Sequence, residues 1–249
     1  MDLSNENVLH IKKDGVEYLQ FKKLLDYQDI INHAYSIGVD KNYRTAKANK
    51  EKLQEDVYQK ALKDYEILCH AMGSKLEHLV KTNQAHTDEV KIAKEKINSN
   101  EPDFNLEQYA KTDGLITNQK GMMLSTTNAD CILLLFFDPK NKVIANTHSG
   151  WRGTLQRISV KTVKKMKEEF GCRPEDIICA ICPSIRKCHF EVEEEVKQSF
   201  EEEFKDIGNL SQKEIIKETV PNQKWNIDTV KINQIILQKE GLKPENIID

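Results

Sequence analysis

The fold class this sequence predicts is α/β: a single domain of mixed β-sheets flanked by helices, spanning residues 1–249. Three observations predict it. Apolar runs of strand length recur along the chain, chiefly CILLLFF at 131–137 and KVIANTH at 142–148. Amphipathic stretches with apolar residues at helical spacing lie between the runs. No internal repeat, low-complexity linker or composition break separates one part from another, and 249 residues suffice for a sizeable core.

Taken in order, NVLHIKKDGVEYLQF (7–21) reads as a hairpin turned at Asp14-Gly15. Residues 44–72 are polar, with Val57, Leu62, Tyr65, Ile67 and Leu68 at helical spacing and Gly73 as a stop. Alternation returns over 77–94, and 95–111 is polar and turn-rich. Strands are expected at Gly114–Ile116, Met122–Ser125, Cys131–Phe137 and Lys142–His148. Thr154 to Phe170 reads as a helix with Leu155, Ile158, Val163 and Met166 on one side, Thr154 as N-cap and Gly171 just past its end. A strand at Ile177–Ile181 leads to Pro183. Acidic helices at 191–205 and 211–218 follow, and a helix at 228–240 closes at Gly241.

Composition excludes several function classes. Hydrophobic residues make up 39% of the chain and charged ones 31%, with a net charge of −3. That balance gives no support to nucleic-acid or anionic-membrane binding. The N-terminus MDLSNENVLH lacks a basic region followed by an apolar one, so no secretory signal is expected. The run at 131–137 is far too short to span a bilayer. Six cysteines then read as reduced thiols in a cytoplasmic protein, available as ligands or nucleophiles.

The stretch NTHSGWRGTLQRI (146–158) sets the functional question, because it ends a strand on His148 and follows it with two glycines and an arginine. Asp138-Pro139-Lys140-Asn141 is a turn signal. If Asp138 faces Asn141 across it, Cys131 faces His148, placing a thiol beside an imidazole at the open end of a hairpin. His86, in TNQAHTDEV, is the best third candidate; two His and one Cys suit zinc and leave a fourth position open. A strand-end histidine is also commonly a satisfied polar residue, and spacing alone leaves both readings standing. Gly150 and Gly153 permit close backbone approach, Arg152 is a bidentate donor for phosphate or carboxylate, and the N–H groups of a helix opened by Thr154 would favour an anion. Asp130, beside Cys131, is open to three roles: orienting a ligand, transferring a proton, or ending a strand. Cys179 and Cys182, three apart in the apolar IICAICP, point to opposite faces of a strand and cannot share one ion. With Cys172 and Cys188 they read as buried free thiols.

TDGLITN (112–118), TTNADCILLLFFD (126–138), NTHSGWRGT (146–154), CPSI (182–185) and CHFEVEEEV (188–196) together resemble the YfiH-like family, also called laccase-domain or polyphenol-oxidase-like proteins. The resemblance covers most of residues 30–245. It implies the family's α/β fold and places its zinc ligands on His86, Cys131 and His148. Cys182 replaces a glycine of the family pattern, and HAYSIGVDKNYRT (33–45) lacks elements common in its N-terminal substrate loop. Many members also continue past the position of Asp249, so part of the pocket is expected to be missing or rebuilt.

The function that the resemblance implies is a zinc-dependent purine nucleoside phosphorylase acting on inosine, adenosine or methylthioadenosine, with adenosine deamination as a second activity. Its partners would be a small nucleoside and phosphate, bound by Gly150, Arg152, Gly153 and Thr154, with Asp130 and Arg152 in catalytic roles. Three alternatives remain: a copper-dependent phenol oxidase, a metal-free Cys–His hydrolase, and a role in editing cell-wall precursors. One Cys and two His resemble a type 1 copper set, but seven histidines are few for a multicopper enzyme.

Overall fold

The near-continuous apolar run after Cys131 builds the central strand, since a strand buried on both faces needs no polar alternation. The computed structural model describes residues 2–38, 41, 43, 55–94, 109–221 and 223–249. Its elements in chain order are β1 (Val8–Lys13), β2 (Val16–Phe21), α1 (Lys22–Leu25), β3 (Tyr35–Ser36), α2 (Glu55–Ala71), β4 (Leu79–Lys81), β5 (Val90–Ile92), β6 (Gly114–Thr117) and β7 (Met123–Ser125). There follow β8 (Ile132–Asp138), β9 (Val143–Ser149), α3 (Trp151–Leu155), α4 (Ile158–Phe170), β10 (Ile178–Ile181), β11 (Glu191–Glu193), α5 (Glu194–Glu203), β12 (Ile216–Val220), β13 (Lys224–Ile227), α6 (Thr229–Lys239) and β14 (Ile247–Ile248). The six-stranded central sheet runs β14-β10-β8-β9-β6-β5, beside three-stranded sheets β1-β2-β3 and β11-β13-β12 and the parallel pair β4-β7. This is the mixed α/β architecture expected.

Side-chain alternation along the central strands divides the core in two. Ile132, Leu134, Phe136, Val143, Ala145, Cys179 and Ile181 pack against Ile158, Val163 and Met166 of α4 and Val230 and Leu237 of α6. Leu133, Phe137, Ile178, Ala180 and Cys182 face the other way, onto Val8, Leu19 and Phe21 of the N-terminal hairpin. Cys179 and Cys182 therefore lie on opposite faces, as the strand period requires. Cys172 is buried too, but Cys188 is exposed, contrary to expectation. No helix among the described residues is long and apolar enough to cross a membrane.

Asp14 and Gly15, at φ 52° and 77°, make the hairpin turn that joins β1 to β2. The expected 44–72 helix is seen as α2, residues 44–54 lying outside the described ones, as do 95–108 of the turn-rich stretch. Four expectations need correction. Leu133, not Cys131, faces His148, because Asp138 pairs with Val143 around a four-residue turn. The helix expected at 154–170 is two helices, capped by Gly150 and Arg157 and not by Thr154. Arg157 breaks them at φ 57°, with its guanidinium held by Glu203 and Asp206 at 2.6 Å each. Residues 191–193 form a strand, and the helix expected at 211–218 is a turn followed by β12. There the β-branched Ile215-Ile216 and Thr219-Val220 favour a strand, which pairs with the unforeseen β13 and buries Ile216 against Trp225 and Ile227.

Candidate metal centre

The register correction moves Cys131 by two residues, and two residues preserve the face. Cys131 sits just before β8, on the same side as Leu133 and its partner His148. His148 is almost fully buried near the end of β9, at 2% exposure, while Cys131 is half-buried. The third residue, His86, comes from the β4–β5 loop and is exposed. One ligand atom from each of His86, Cys131 and His148 lies within 4.8 Å of the others, the single group of this kind among the described residues. Cys131 Sγ is 4.0 Å from His86 Nε2, and the two imidazoles stand edge to face with centroids 4.9 Å apart.

What brings these segments together is Asp113, which sequence reasoning missed. It lies just before β6 with no solvent exposure. Its carboxylate accepts from the backbone N–H groups of Ala85, His86 and Thr87 at 3.0, 3.1 and 2.9 Å, and from the Thr87 hydroxyl at 2.8 Å. The same carboxylate binds His148 Nδ1 at 2.8 Å. One buried acid therefore holds the His86 loop and fixes the other imidazole, leaving His148 Nε2 as the remaining ring nitrogen. His86 adopts φ 60°, a conformation rare outside glycine, and the three-fold N–H clamp over-determines it. Burial raises the Asp113 carboxyl, but hydrogen bonds from His148, Thr87 and Ala85 outweigh it and hold it at about 2. Burial lowers His148, and here the Asp113 bond and the nearby Cys131 prevail, so its net shift is upward. The sequence signal available was the acid in Thr112-Asp113-Gly114, a motif quoted above for the family and not for chemistry.

Do these residues fit a metal? Tetrahedral coordination at zinc–ligand bonds of about 2.0–2.3 Å needs ligand atoms roughly 3.5 Å apart, which a small contraction of the cluster supplies. The donor set, one thiol and two imidazoles with a carboxylate behind one of them, is one that could hold a transition-metal ion. Gly150 supports the same conclusion. A Cβ there would lie 2.9 Å from His86 Cδ2 and 3.3 Å from Cys131 Sγ, so any side chain would intrude on the cluster.

The remaining candidates separate. Arg152 sits in α3 with its guanidinium 4.1 Å above the Trp151 ring. Asp130 is exposed, and its carbonyl accepts from Ile185 N–H at 2.8 Å. Asp113, not Asp130, is the carboxylate that holds an imidazole of the cluster, at His148 Nδ1. Gly153 packs against backbone, with an added Cβ 3.3 Å from the Thr87 carbonyl. Thr154 is wholly buried and shares its hydroxyl with Ser149 at 3.0 Å and Asn233 at 3.3 Å. It joins α3 to α6 and presents no group to a ligand.

A family profile described as multi-copper polyphenol oxidoreductase laccase matches residues 36–249. A purine nucleoside phosphorylase of Mus musculus is 33% identical over 182 residues, 73% of this chain and 38% of its own. The matched segment thus spans well under half the length of that relative. An adenosine deaminase from an unknown prokaryotic organism is 28% identical, covering 73% of this chain and 67% of its own. The crystal structure of YfiH from Bacillus licheniformis superimposes with a TM-score of 0.69 at 18% identity, over 99% of this chain and 86% of that one, a likeness of fold. With a profile match across most of its length and the His-Cys-His cluster at its centre, the chain belongs to the laccase-domain, or YfiH-like, family.

Proposed function

We propose that this chain is a zinc-dependent purine nucleoside phosphorylase acting on inosine or adenosine, with adenosine deamination as a second activity of the same centre. It works as one domain in the cytoplasm. The observation that carries the reading is the convergence of His86, Cys131 and His148 on one point under the control of Asp113. When bound by three protein donors, zinc supplies a Lewis acid and an acidified water at its open position.

The chain's own residues account for the remaining needs. In phosphorolysis a phosphate oxygen bonds to the sugar carbon as the glycosidic bond to the purine breaks, and the departing base takes up a proton. Arg152 holds the phosphate; stacking on Trp151 leaves its N–H groups directed outward from a fixed plane. Asp130, exposed beside Cys131, handles the proton at its carboxylate. The relatives' activities, a phosphorylase and a deaminase, both act on purine nucleosides and agree with this reading.

A multicopper oxidase would need a histidine-rich cluster. Of the seven histidines, only His86 and His148 belong to the site. The test is metal analysis of the purified protein combined with incubation in inosine, adenosine and phosphate. Stoichiometric zinc with phosphate-dependent release of hypoxanthine or adenine is expected; the absence of both purine release and deamination would overturn the proposal.

A further inference from the structure

A cavity of about 520 Å³ opens where the Arg186–Cys188 turn, strands β12 and β13 and the first turn of α6 meet; it shares no residue with the metal centre. Four cations line it, Arg186, Lys187, Lys217 and Lys231, against the two carboxylates of Asp228 and Asp249. Both acids are already engaged. Asp249 pairs with Arg186 at 2.7 Å, and Asp228 caps α6 by accepting from Lys231 N–H at 2.8 Å. Lys187 donates to the Glu214 carbonyl, a neutral acceptor. The ammonium groups of Lys217 and Lys231 have no carboxylate partner among the described residues. The lining therefore carries four cationic side chains against two carboxylate side chains, an excess that suits an anion.

A second observation narrows the ligand. The Asn226 Oδ1 atom is buried, yet no donor among the described residues reaches it. Buried acceptors without partners are rare and costly. Asn226 lines the same cavity and stands opposite Lys217 across the β12–β13 ladder, so the two side chains share a face. A phosphate monoester near neutral pH is largely dianionic and has few protons to donate. The donor for Asn226 must then come from whatever carries the phosphate.

We infer that this cavity binds a phosphomonoester of a polyhydroxylated carrier, the sugar-phosphate class. The phosphate lies between Lys217 and Lys231, and a rotation of the Asn226 amide into the cavity brings its buried Oδ1 to a carrier hydroxyl. The volume suits a small sugar phosphate. The inference stands independently of the reaction at the metal centre.

Cys188 supplies a local reporter, because it is exposed and lines this cavity. Its rate of alkylation by iodoacetamide is followed by peptide mass spectrometry at constant ionic strength, with ribose 5-phosphate, inorganic phosphate, sulfate or ribose added. Ribose 5-phosphate should slow modification of Cys188 several-fold, phosphate and sulfate less, and ribose not at all. Calorimetric binding should weaken about tenfold or more in Lys217→Gln and in Lys231→Gln, each with unchanged melting temperature and metal content. Asn226→Leu should reduce ribose 5-phosphate to the affinity of inorganic phosphate; if that variant fails to fold, the comparison of ribose 5-phosphate with phosphate on the unaltered protein decides the hydroxyl contact. Equal protection by sulfate and ribose 5-phosphate would reveal ionic screening alone and overturn the inference, as would full protection in the doubly substituted lysine variant.

Discussion

Cys131 and Cys179 lie on neighbouring segments of one sheet, since β8 pairs with β10, yet the two thiols have different chemistry. Cys179 is wholly buried among apolar side chains, and burial pushes its thiol well above the ordinary range, as it does for Cys182. Cys172 is raised to about 12 by burial and by the neighbouring Asp138. Cys131 is half-buried and stands beside two imidazoles. The difference is set by the surroundings: a thiol is available as a ligand where the backbone delivers other donors to it, and is an inert core residue where apolar side chains enclose it.

The largest expected effect breaks that contrast directly. Cys131→Ser should lose stoichiometric metal, because a hydroxyl is a far poorer ligand than a thiolate, while Cys179→Ser should keep it. The cost of Cys179→Ser is of a different kind, about 1–3 kcal/mol of stability for a buried hydroxyl without a partner. Metal analysis and thermal unfolding of the two variants measure both; metal retained in Cys131→Ser would refute the ligand assignment. His86→Ala separates zinc from a metal-free hydrolase built on Cys131, His148 and Asp113. The zinc reading expects loss of metal and of activity, and sensitivity to chelators. Full turnover of His86→Ala with a strong chelator present would favour the hydrolase.

Next in size is the residue that assembles the site. Asp113→Asn keeps the shape but gives up charge and an acceptor, and metal affinity should fall about 10- to 100-fold. Competition with a chromophoric chelator reads that change without reference to turnover; unchanged affinity would make Asp113 a purely structural residue. Gly150→Ala places a methyl group 2.9 Å from His86 Cδ2. Overpacking of this kind costs about 1–3 kcal/mol, and the exposed His86 loop should yield before the core does. Weaker metal binding with little change in melting temperature is therefore expected, and the reverse pattern would show that the strain falls elsewhere.

How far the sequence revealed all this differs between the parts. The central strands were legible because CILLLFF and KVIANTH carry burial in their composition, and a register error of two residues still left Cys131 and His148 on one face. The hairpin at Asp14-Gly15 was legible through its turn chemistry. Helix 211–218 was misread because its charged residues mimic a solvated helix, while its Ile-Ile pair is buried by residues of several other elements, Trp225 and Ile227 of β13 among them, which no local pattern shows. Thr154 looked like an N-cap since nothing local shows that its hydroxyl turns inward to Ser149 and Asn233. Asp113 stayed hidden for the same reason: its partners are backbone N–H groups 26 to 28 residues away, and no spacing rule encodes them.

The smallest effect extends the contrast from thiols to imidazoles. His33, in the segment between β2 and β3, has no carboxylate like that of His148; its Nε2 accepts from the Phe21 backbone N–H at 2.7 Å. Burial lowers its pKa from 6.5 to about 4. Protonation would put a second hydrogen where the Phe21 N–H already donates, so the folded chain resists the charge. Above pH 6.5 the ring is neutral in both the folded and unfolded chain and contributes nothing to pH dependence. As pH falls below that value, the unfolded chain takes up a proton that the folded one refuses. Stability should then drop until about pH 4, where the folded ring also protonates, and level off below it. The loss assigned to this group is about 1–2 kcal/mol, reduced from the full linkage value because the residue is only partly buried. Replacement by Gln preserves an acceptor without a titrating ring. Denaturant unfolding at a series of pH values should therefore show a shallower acid slope for His33→Gln than for the unaltered chain. Parallel slopes between pH 6.5 and 4 would mean that the Phe21 contact does not govern the protonation of His33.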